Sequence, residues 1–209
     1  MYKSNFLYDF WELNVAMYLT NNALTPDPEL EPGILTSTPY DWPFLQKGIR
    51  MSSWDDSAVK FYMLGNPIVW WSSGFSVLVL LTLIGIHHLI KKRNPLYLNP
   101  LKQLRLSNAA QVCIGGWLLH YLPFYLMGRV TYLHHYFPSL LFAIMSFGLL
   151  MDHLSFTWNN KIKWLMSIVM IGTVTAVFVF FAPICYGIEG PSREFQSRHW
   201  LKSWNLINY

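Results

Sequence analysis

A short polar segment, Gly128-Arg-Val-Thr-Tyr-Leu-His-His-Tyr-Phe-Pro138, separates two long apolar runs of the chain, and Arg129 is its one formal charge. A guanidinium group is planar, stays protonated at physiological pH and binds phosphate through paired hydrogen bonds. At the end of a membrane span, Arg129 would be placed to hold a lipid-linked phosphate whose tail runs into the bilayer. The alternative is an arginine that snorkels toward the lipid headgroups.

Two histidines and two tyrosines that follow Arg129 are candidates to assist it. His134 and His135 follow about a turn and a half later, so we expect one to share its face and the other to point away. A histidine beside a phosphate can donate a hydrogen bond or a proton. Tyr132 and Tyr136 would line one helical face as hydroxyl donors. The alternative is that these residues are structural, the tyrosines belonging to the aromatic belt of the membrane interface.

Two further polar features are weaker candidates. His120 lies within an apolar run, where a titratable group is unusual, and it is either a residue of the bundle interior or a satisfied core histidine. Asp55-Asp56 is the one adjacent carboxylate pair, suited to base catalysis or metal binding, with loop capping and solubility as the alternative. The chain has no glycine-rich phosphate loop, HExxH, CxxC or G-x-S-x-G motif. We therefore expect no metal and no cofactor.

The composition predicts an all-α integral membrane protein. The 209 residues are 53% hydrophobic and 12% charged, whereas soluble domains carry about a quarter charged residues. Crossing about 30 Å of hydrocarbon takes roughly 20 helical residues. Ten tryptophans and twelve tyrosines, many near the ends of apolar runs, suit interfacial belts. The predicted transmembrane helices are residues 67–89, 108–128, 136–151 and 164–185.

The placement of positive charge predicts the orientation in the membrane. Lysine and arginine are enriched in cytosolic loops, and here they concentrate between the first two spans and between the last two. The luminal side then holds an arm (residues 1–66), the Arg129 loop and a tail (residues 187–209), flanking a four-helix membrane domain (residues 67–186). A net charge of +4 distributed in this way does not indicate a nucleic-acid partner. The loop cations are Lys91, Lys92, Arg93, Lys102, Arg105, Lys161 and Lys163.

The arm has two predicted parts. Residues 8–24 suggest an amphipathic helix at the membrane surface, although a packed helix of a soluble luminal domain fits equally well. Residues 36–54, which include Trp42, read as an irregular loop held by aromatic side chains. Asn66-Pro67 opens the first span, and Pro123 should kink the second near its end.

Several stretches of the chain resemble one family. Leu64-Gly-Asn-Pro-Ile-Val-Trp-Trp71 and Gly116-Trp-Leu-Leu-His-Tyr-Leu-Pro-Phe-Tyr-Leu-Met-Gly-Arg-Val-Thr-Tyr-Leu-His-His-Tyr-Phe-Pro138 closely resemble the C-terminal membrane region of protein O-mannosyltransferases. Three segments of the arm and one of the tail are similar to the family as well. They are Trp11-Glu-Leu-Asn-Val-Ala-Met17, Asn21-Asn-Ala-Leu-Thr-Pro26, Trp42-Pro43 and Trp200-Leu-Lys-Ser-Trp-Asn205.

The resemblance implies the C-terminal part of a GT-C glycosyltransferase of the endoplasmic reticulum membrane. Such enzymes transfer mannose from dolichyl-phosphate mannose to Ser or Thr of secretory proteins, with inversion, as dimers of related subunits. The family's catalytic acidic pair belongs to an N-terminal membrane half that has no counterpart here. The family's MIR domains have no counterpart here either. Asp55-Asp56 does not match that pair, so no catalytic residue is assigned in this chain. We expect Arg129 to bind the donor phosphate, with His134, His135 and Tyr132 as supporting residues.

Three interpretations remain at this point. The chain is the C-terminal portion of a mannosyltransferase, inactive alone, or a non-catalytic membrane partner that docks onto a full-length enzyme. The third, an unrelated four-span channel or carrier, is disfavoured by the long motif. The sequence does not specify the acceptor proteins, the dimer partner, whether Met1 is a true start, or which of His134 and His135 faces the donor.

Overall fold

The computed structural model describes residues 5–25, 36–52, 54, 59–94 and 100–207, with the backbone alone at 100–105 and 107. Asp55-Asp56 lies outside the described residues. The fold is predominantly α-helical, as the sequence predicts. Its helices and strands are α1 (Phe6–Ala23), β1 (Ile49–Arg50), β2 (Tyr62–Met63), α2 (Pro67–Arg93), α3 (Pro100–Tyr121), α4 (Phe137–Leu154) and α5 (Asn160–Tyr186). Short 3-10 turns cover Pro39–Asp41, Leu122–Tyr125, Leu133–Tyr136 and Ser192–Arg198.

Three helical stretches within the described part of the chain are long and apolar enough to cross a membrane. They are Pro67–Arg93, Leu133–Leu154 and Asn160–Tyr186. The second predicted span, residues 108–128, does not form one apolar helix. Helix α3 starts at Pro100, in the charged loop sequence, and ends at Tyr121, where a 3-10 turn containing Pro123 takes over. Proline lacks the N–H that would continue an α-helix, so Pro123 ends α3 instead of kinking it.

Local sequence signals explain where two of the long helices begin. The Asn66 side chain accepts hydrogen bonds from the backbone N–H groups of Ile68 (3.1 Å) and Val69 (3.4 Å), and Pro67 occupies the first turn of α2. Asn159 caps α5 in the same way through Lys161 N at 3.0 Å. An asparagine cap satisfies N–H groups that have no partner inside the helix.

Helix α4 packs against both α2 and α3 through small residues. Buried serines line this contact. The Ser76 hydroxyl donates to Ser73 O at 2.7 Å and the Ser146 hydroxyl to Phe142 O at 2.9 Å, each within its own helix. A small side chain lets two backbones approach closely. Gly116 of α3 illustrates the closeness, because a Cβ atom there would lie 2.4 Å from the Phe142 ring. Helix α5 is peripheral, and its buried side chains are Phe181 and Ile184 near one end.

A second core forms where α2 begins, α3 ends, α4 begins and α5 ends, and we call this region the arm end. Antiparallel strands β1 and β2 pair there, with Ile49 opposite Met63. Lys60 and Ile188 exchange backbone hydrogen bonds of 3.0 and 2.8 Å, which join the arm to the tail. The largest fully buried side chains of this core are Trp42, Trp204, Tyr62, Tyr136, Leu45, Leu133, Ile184, Ile188 and Leu206.

Helix α1 stands largely apart from both cores. None of its residues is buried, and its apolar side chains do not share one face. At 100° per residue, Tyr8, Val15 and Leu19 lie opposite the face that carries Phe10 and Met17. The helix is therefore apolar around most of its circumference. A helix of this kind is ordinarily covered by other protein or by lipid.

We predict that Gly116→Ala destabilises the bundle. The added methyl group overlaps the Phe142 ring, and forcing extra volume into a packed contact costs about 1–3 kcal/mol. Gly115→Ala is the matched control, because no atom lies within 4 Å of a Cβ at that position. Unfolding by sodium dodecyl sulfate in mixed micelles, followed by far-UV circular dichroism, compares the two. Equal stability of both variants would show that α3 and α4 do not meet at Gly116.

We also predict that Trp42→Ala opens the arm end while leaving the membrane helices folded. Truncating a fully buried tryptophan costs about 3–5 kcal/mol, which corresponds to roughly a hundredfold or greater rise in the opened population. Lys60 is 1% exposed, so tryptic cleavage after it reports this opening. Trp164→Ala, at a side chain 72% exposed, is the control and should be cut at the wild-type rate. Slow cleavage of both variants would refute a central role for Trp42.

Candidate functional site

Arg129 lies in an irregular loop, residues 126–132, between the turn after α3 and the turn before α4. Its guanidinium is half-buried. Nη1 donates to the Asn21 side-chain oxygen at 2.6 Å, and Nε makes a long bond of 3.4 Å to Val130 O. The other N–H groups, including both on Nη2, have no acceptor among the described residues. Arg129 is thus held in place with part of its donor set still available.

Two segments of the arm fix this loop. Val130 N donates to Leu24 O at 2.9 Å, directly after α1. On the other side, Ser37 and Thr131 are joined twice, through Ser37 N to Thr131 O at 3.0 Å and through the Thr131 hydroxyl to Ser37 O at 2.7 Å. The backbone directly after Arg129 is therefore set by contacts with the arm.

Trp42 packs against the two 3-10 turns that flank the same loop. Its ring lies 6.2 Å from the His135 ring and 5.1 Å from the Phe124 ring, measured between centroids. Its indole Nε1 donates to the Ser37 hydroxyl at 2.9 Å, while the indole of Trp70 donates to the Trp42 carbonyl. Buried tryptophans ordinarily have their N–H satisfied in this way. Trp42 therefore contacts both α2 and the 3-10 turn Leu133–Tyr136, which we call the histidine turn, and so connects them to the arm.

The structure brings Tyr132, His134 and His135 into one stack. The ring centroids of Tyr132 and His134 are 5.6 Å apart, and those of the two histidines are 4.5 Å apart. His134 is the exposed member, whereas His135 is half-buried against Trp42. His135 Nδ1 lies 3.0 Å from Tyr132 N and 3.1 Å from Tyr132 O, so the ring is held against the Tyr132 backbone and its tautomer decides whether Nδ1 accepts or donates.

Tyr136 does not belong to this stack. It is fully buried, and its hydroxyl accepts the indole N–H of Trp117 at 2.9 Å. The sequence placed Tyr132 and Tyr136 on one helical face, but residues Leu133–Tyr136 form a 3-10 turn. Such a turn has three residues per revolution, so positions four apart are no longer aligned. Tyr136 is therefore a core residue.

His120 also lies away from the site. It is exposed near the end of α3, and its ring stacks on Phe142 with the centroids 5.2 Å apart. Its Nδ1 is 2.8 Å from Gly116 O, one turn back in the same helix. Because a carbonyl only accepts, Nδ1 carries the proton in this bond. His120 is satisfied by its own helix and does not face the bundle interior.

Arg50 is a second half-buried arginine of the arm end, and it is a structural residue. Its Nε donates to Asn205 O at 2.6 Å, and the guanidinium lies 4.6 Å from the centre of the Trp54 ring. Burial lowers the pKa of Arg50 and raises the pKa of the neighbouring Tyr62 hydroxyl. The buried Tyr62 hydroxyl accepts Gly48 N–H at 3.1 Å. These contacts fasten the strands to the tail.

An apolar cavity of about 400 Å³ lies between α2 and α3 at the arm end. Its walls are hydrocarbon and aromatic rings, with little polar surface. The residues that line it include Pro43, Phe44, Trp71, Phe75, Leu78 and Tyr121. Within the described residues, no group of three histidine, cysteine or acidic side chains is placed to hold a metal ion.

Sequence reasoning did not find the arm residues that hold Arg129. Asn21 is 108 positions from Arg129, and neither spacing nor composition links the two. The one available signal was the resemblance of Asn21-Asn-Ala-Leu-Thr-Pro26 to a family motif. Trp42 was expected to hold its own loop, and it also supports the histidine turn.

Comparison with known proteins agrees with this architecture. Residues 6–204 match the family described as the C-terminal four TMM region of protein-O-mannosyltransferase. The chain is 38% identical to dolichyl-phosphate-mannose–protein mannosyltransferase 6 of Candida albicans and 35% identical to that of Saccharomyces cerevisiae, covering 98% of this chain and 27% of each relative. It thus spans about a quarter of their length.

A solved structure is similar as well. The S. cerevisiae protein O-mannosyltransferase Pmt1-Pmt2 complex bound to the sugar donor matches with a TM-score of 0.77 and 28% identity, over 98% of this chain and 28% of that one. In each case the similarity extends over nearly the whole of the present chain. This chain belongs to the protein O-mannosyltransferase family.

Proposed function

We propose that the chain forms the donor-phosphate part of a dolichyl-phosphate-mannose–protein mannosyltransferase. In this proposal the enzyme transfers mannose to Ser or Thr of secretory proteins in the endoplasmic reticulum membrane. The observation that carries it is Arg129, a cation at a membrane boundary with unused N–H donors. The related mannosyltransferases of C. albicans and S. cerevisiae are named for the same lipid donor, dolichyl-phosphate mannose.

The proposed chemistry needs a cation at this place. The acceptor hydroxyl oxygen attacks the anomeric carbon of mannose, and the bond from that carbon to the phosphate oxygen breaks. The dolichyl phosphate leaves with the bonding electron pair, so negative charge grows on its oxygens. A fixed guanidinium stabilises that charge without reorganising during the reaction. Arg129 is assigned this role.

The stack beside Arg129 can supply further donors. His134 is exposed and Tyr132 is half-buried, while the half-buried His135 ring lies against Trp42. We therefore assign the donor-facing role to His134 and a supporting role to His135. The proton of the acceptor hydroxyl goes to a base, which the family resemblance assigns to a region outside this chain.

The lipid part of the donor requires an apolar environment. The cavity between α2 and α3 lies at the arm end and has hydrocarbon walls, which suit a polyprenyl chain. In the same proposal, the protein works with a related subunit. The solved relative is itself a complex of two such proteins bound to the sugar donor, which supports this assembly.

We predict that Arg129→Ala lowers mannosyl transfer by about 10²- to 10³-fold, the usual effect of removing one donor to a developing oxyanion. Arg129→Lys should retain part of the activity, because it keeps the charge but loses the paired geometry. The measurement is transfer from dolichyl-phosphate mannose to a Ser/Thr peptide, in microsomes from cells that express the protein together with its partner subunit.

Arg193→Ala is the matched control for this experiment. Arg193 is an exposed arginine of the tail and takes no part in the site. Its removal should leave transfer within about twofold, since isolated surface charges contribute little. Immunoblotting of each variant checks that protein levels are equal. Wild-type transfer by Arg129→Ala at equal protein level would overturn the assignment.

A further inference from the structure

The contact between Asn21 and Arg129 joins helix α1 to the candidate phosphate site. Asn21 lies in the last turn of α1 and is half-buried, unlike most of that helix. Its side-chain oxygen accepts a hydrogen bond of 2.6 Å from Nη1 of Arg129. Three residues later, Leu24 O accepts Val130 N at 2.9 Å. Two bonds to consecutive loop residues fix both the position and the direction of the Arg129 side chain.

The chemical nature of this partner is unusual for a half-buried arginine. Arginine in such a place is most often paired with a carboxylate, which satisfies its donors and cancels its charge. Here the partner is a neutral amide. Among the described residues no carboxylate pairs with Arg129. The guanidinium is oriented while its positive charge remains available to an anion.

The amide also brings donors of its own. Asn21 Nδ2 carries two N–H groups, and it has no acceptor among the described residues. An anion held by the free N–H groups of Arg129 would therefore meet additional hydrogen-bond donors beside them. A carboxylate at the same position would present only acceptors and would repel the anion.

We propose that Asn21 is a positioning residue that sets the affinity of the site for the phosphodiester of the lipid donor. It holds the Arg129 guanidinium in place and, as a neutral amide, leaves its charge unpaired. This inference rests on the proposed function, because the anion concerned is the donor phosphate. It adds that helix α1 of the arm is part of the donor site.

Asn21→Asp separates this role from a merely structural one. Aspartate has nearly the same shape and can still accept from Arg129, now as an ion pair. A structural contact would therefore be kept or strengthened, and stability would not fall. A phosphate site would instead lose affinity, because the new charge competes with the ligand for Arg129. Asn21→Ala loses the bond but adds no charge, so its effect on donor affinity should be the smaller of the two.

The experiment measures KM for dolichyl-phosphate mannose, as a mole fraction in mixed micelles, for microsomal enzyme carrying each variant. We expect Asn21→Asp to raise KM by about tenfold or more, and Asn21→Ala to raise it by a few-fold. Asn22→Asp is the control, since it adds the same charge one residue along without replacing the hydrogen-bond partner of Arg129, and it should raise KM clearly less than Asn21→Asp does. Thermal stability of Asn21→Asp should match or exceed that of wild type.

The failures of the two proposals are distinguishable. If Arg129→Ala transfers mannose normally, the proposed function itself is wrong. If Arg129→Ala is defective while Asn21→Asp keeps the wild-type KM, only the role of Asn21 is overturned. A KM for Asn22→Asp that rises as much as that for Asn21→Asp would also overturn it, because the effect would then be general charge repulsion.

Discussion

The structure of the arm end depends on the packing of the buried Trp42 side chain. Its ring packs against Phe124 and His135, its indole donates to Ser37, and its carbonyl accepts from Trp70. One residue thereby connects the arm, the first membrane helix and both turns that flank the Arg129 loop. The loop has no regular structure of its own, so its shape is determined by this surrounding aromatic core.

A second constraint is electrostatic. A cation beside an apolar bundle must be satisfied by water, a partner or a ligand. The structure meets this requirement at Arg129 with neutral oxygens, the amide of Asn21 and the carbonyl of Val130. Arg50, in the same core, is held by a carbonyl and by an aromatic ring, and it serves the packing of the tail. Two arginines at one end of the bundle are thus held by uncharged groups, and Arg129 differs from Arg50 in lying in an irregular loop.

The sequence predicted those parts of the structure that depend on local signals. Asn66-Pro67 marks the start of α2 because both the cap and the proline act within one turn. The sequence did not predict that α3 begins at Pro100. The predicted span began after the charged residues because charges limit membrane insertion, but charged residues do not stop a helix. The inward position of Tyr136 was missed because the intervening turn is 3-10 instead of α-helical. The contact of Asn21 with Arg129 spans 108 positions, and only folding brings these residues together.

Binding of the donor phosphate at Arg129 is the central claim, and binding can be measured without catalysis. The direct test is equilibrium binding of dolichyl phosphate, which lacks the sugar, to the purified protein in lipid nanodiscs, for wild type and for Arg129→Ala. We expect an affinity at least about tenfold lower for the variant, because a paired, charge-assisted contact to phosphate is lost. Equal affinity of the two proteins for dolichyl phosphate would contradict it.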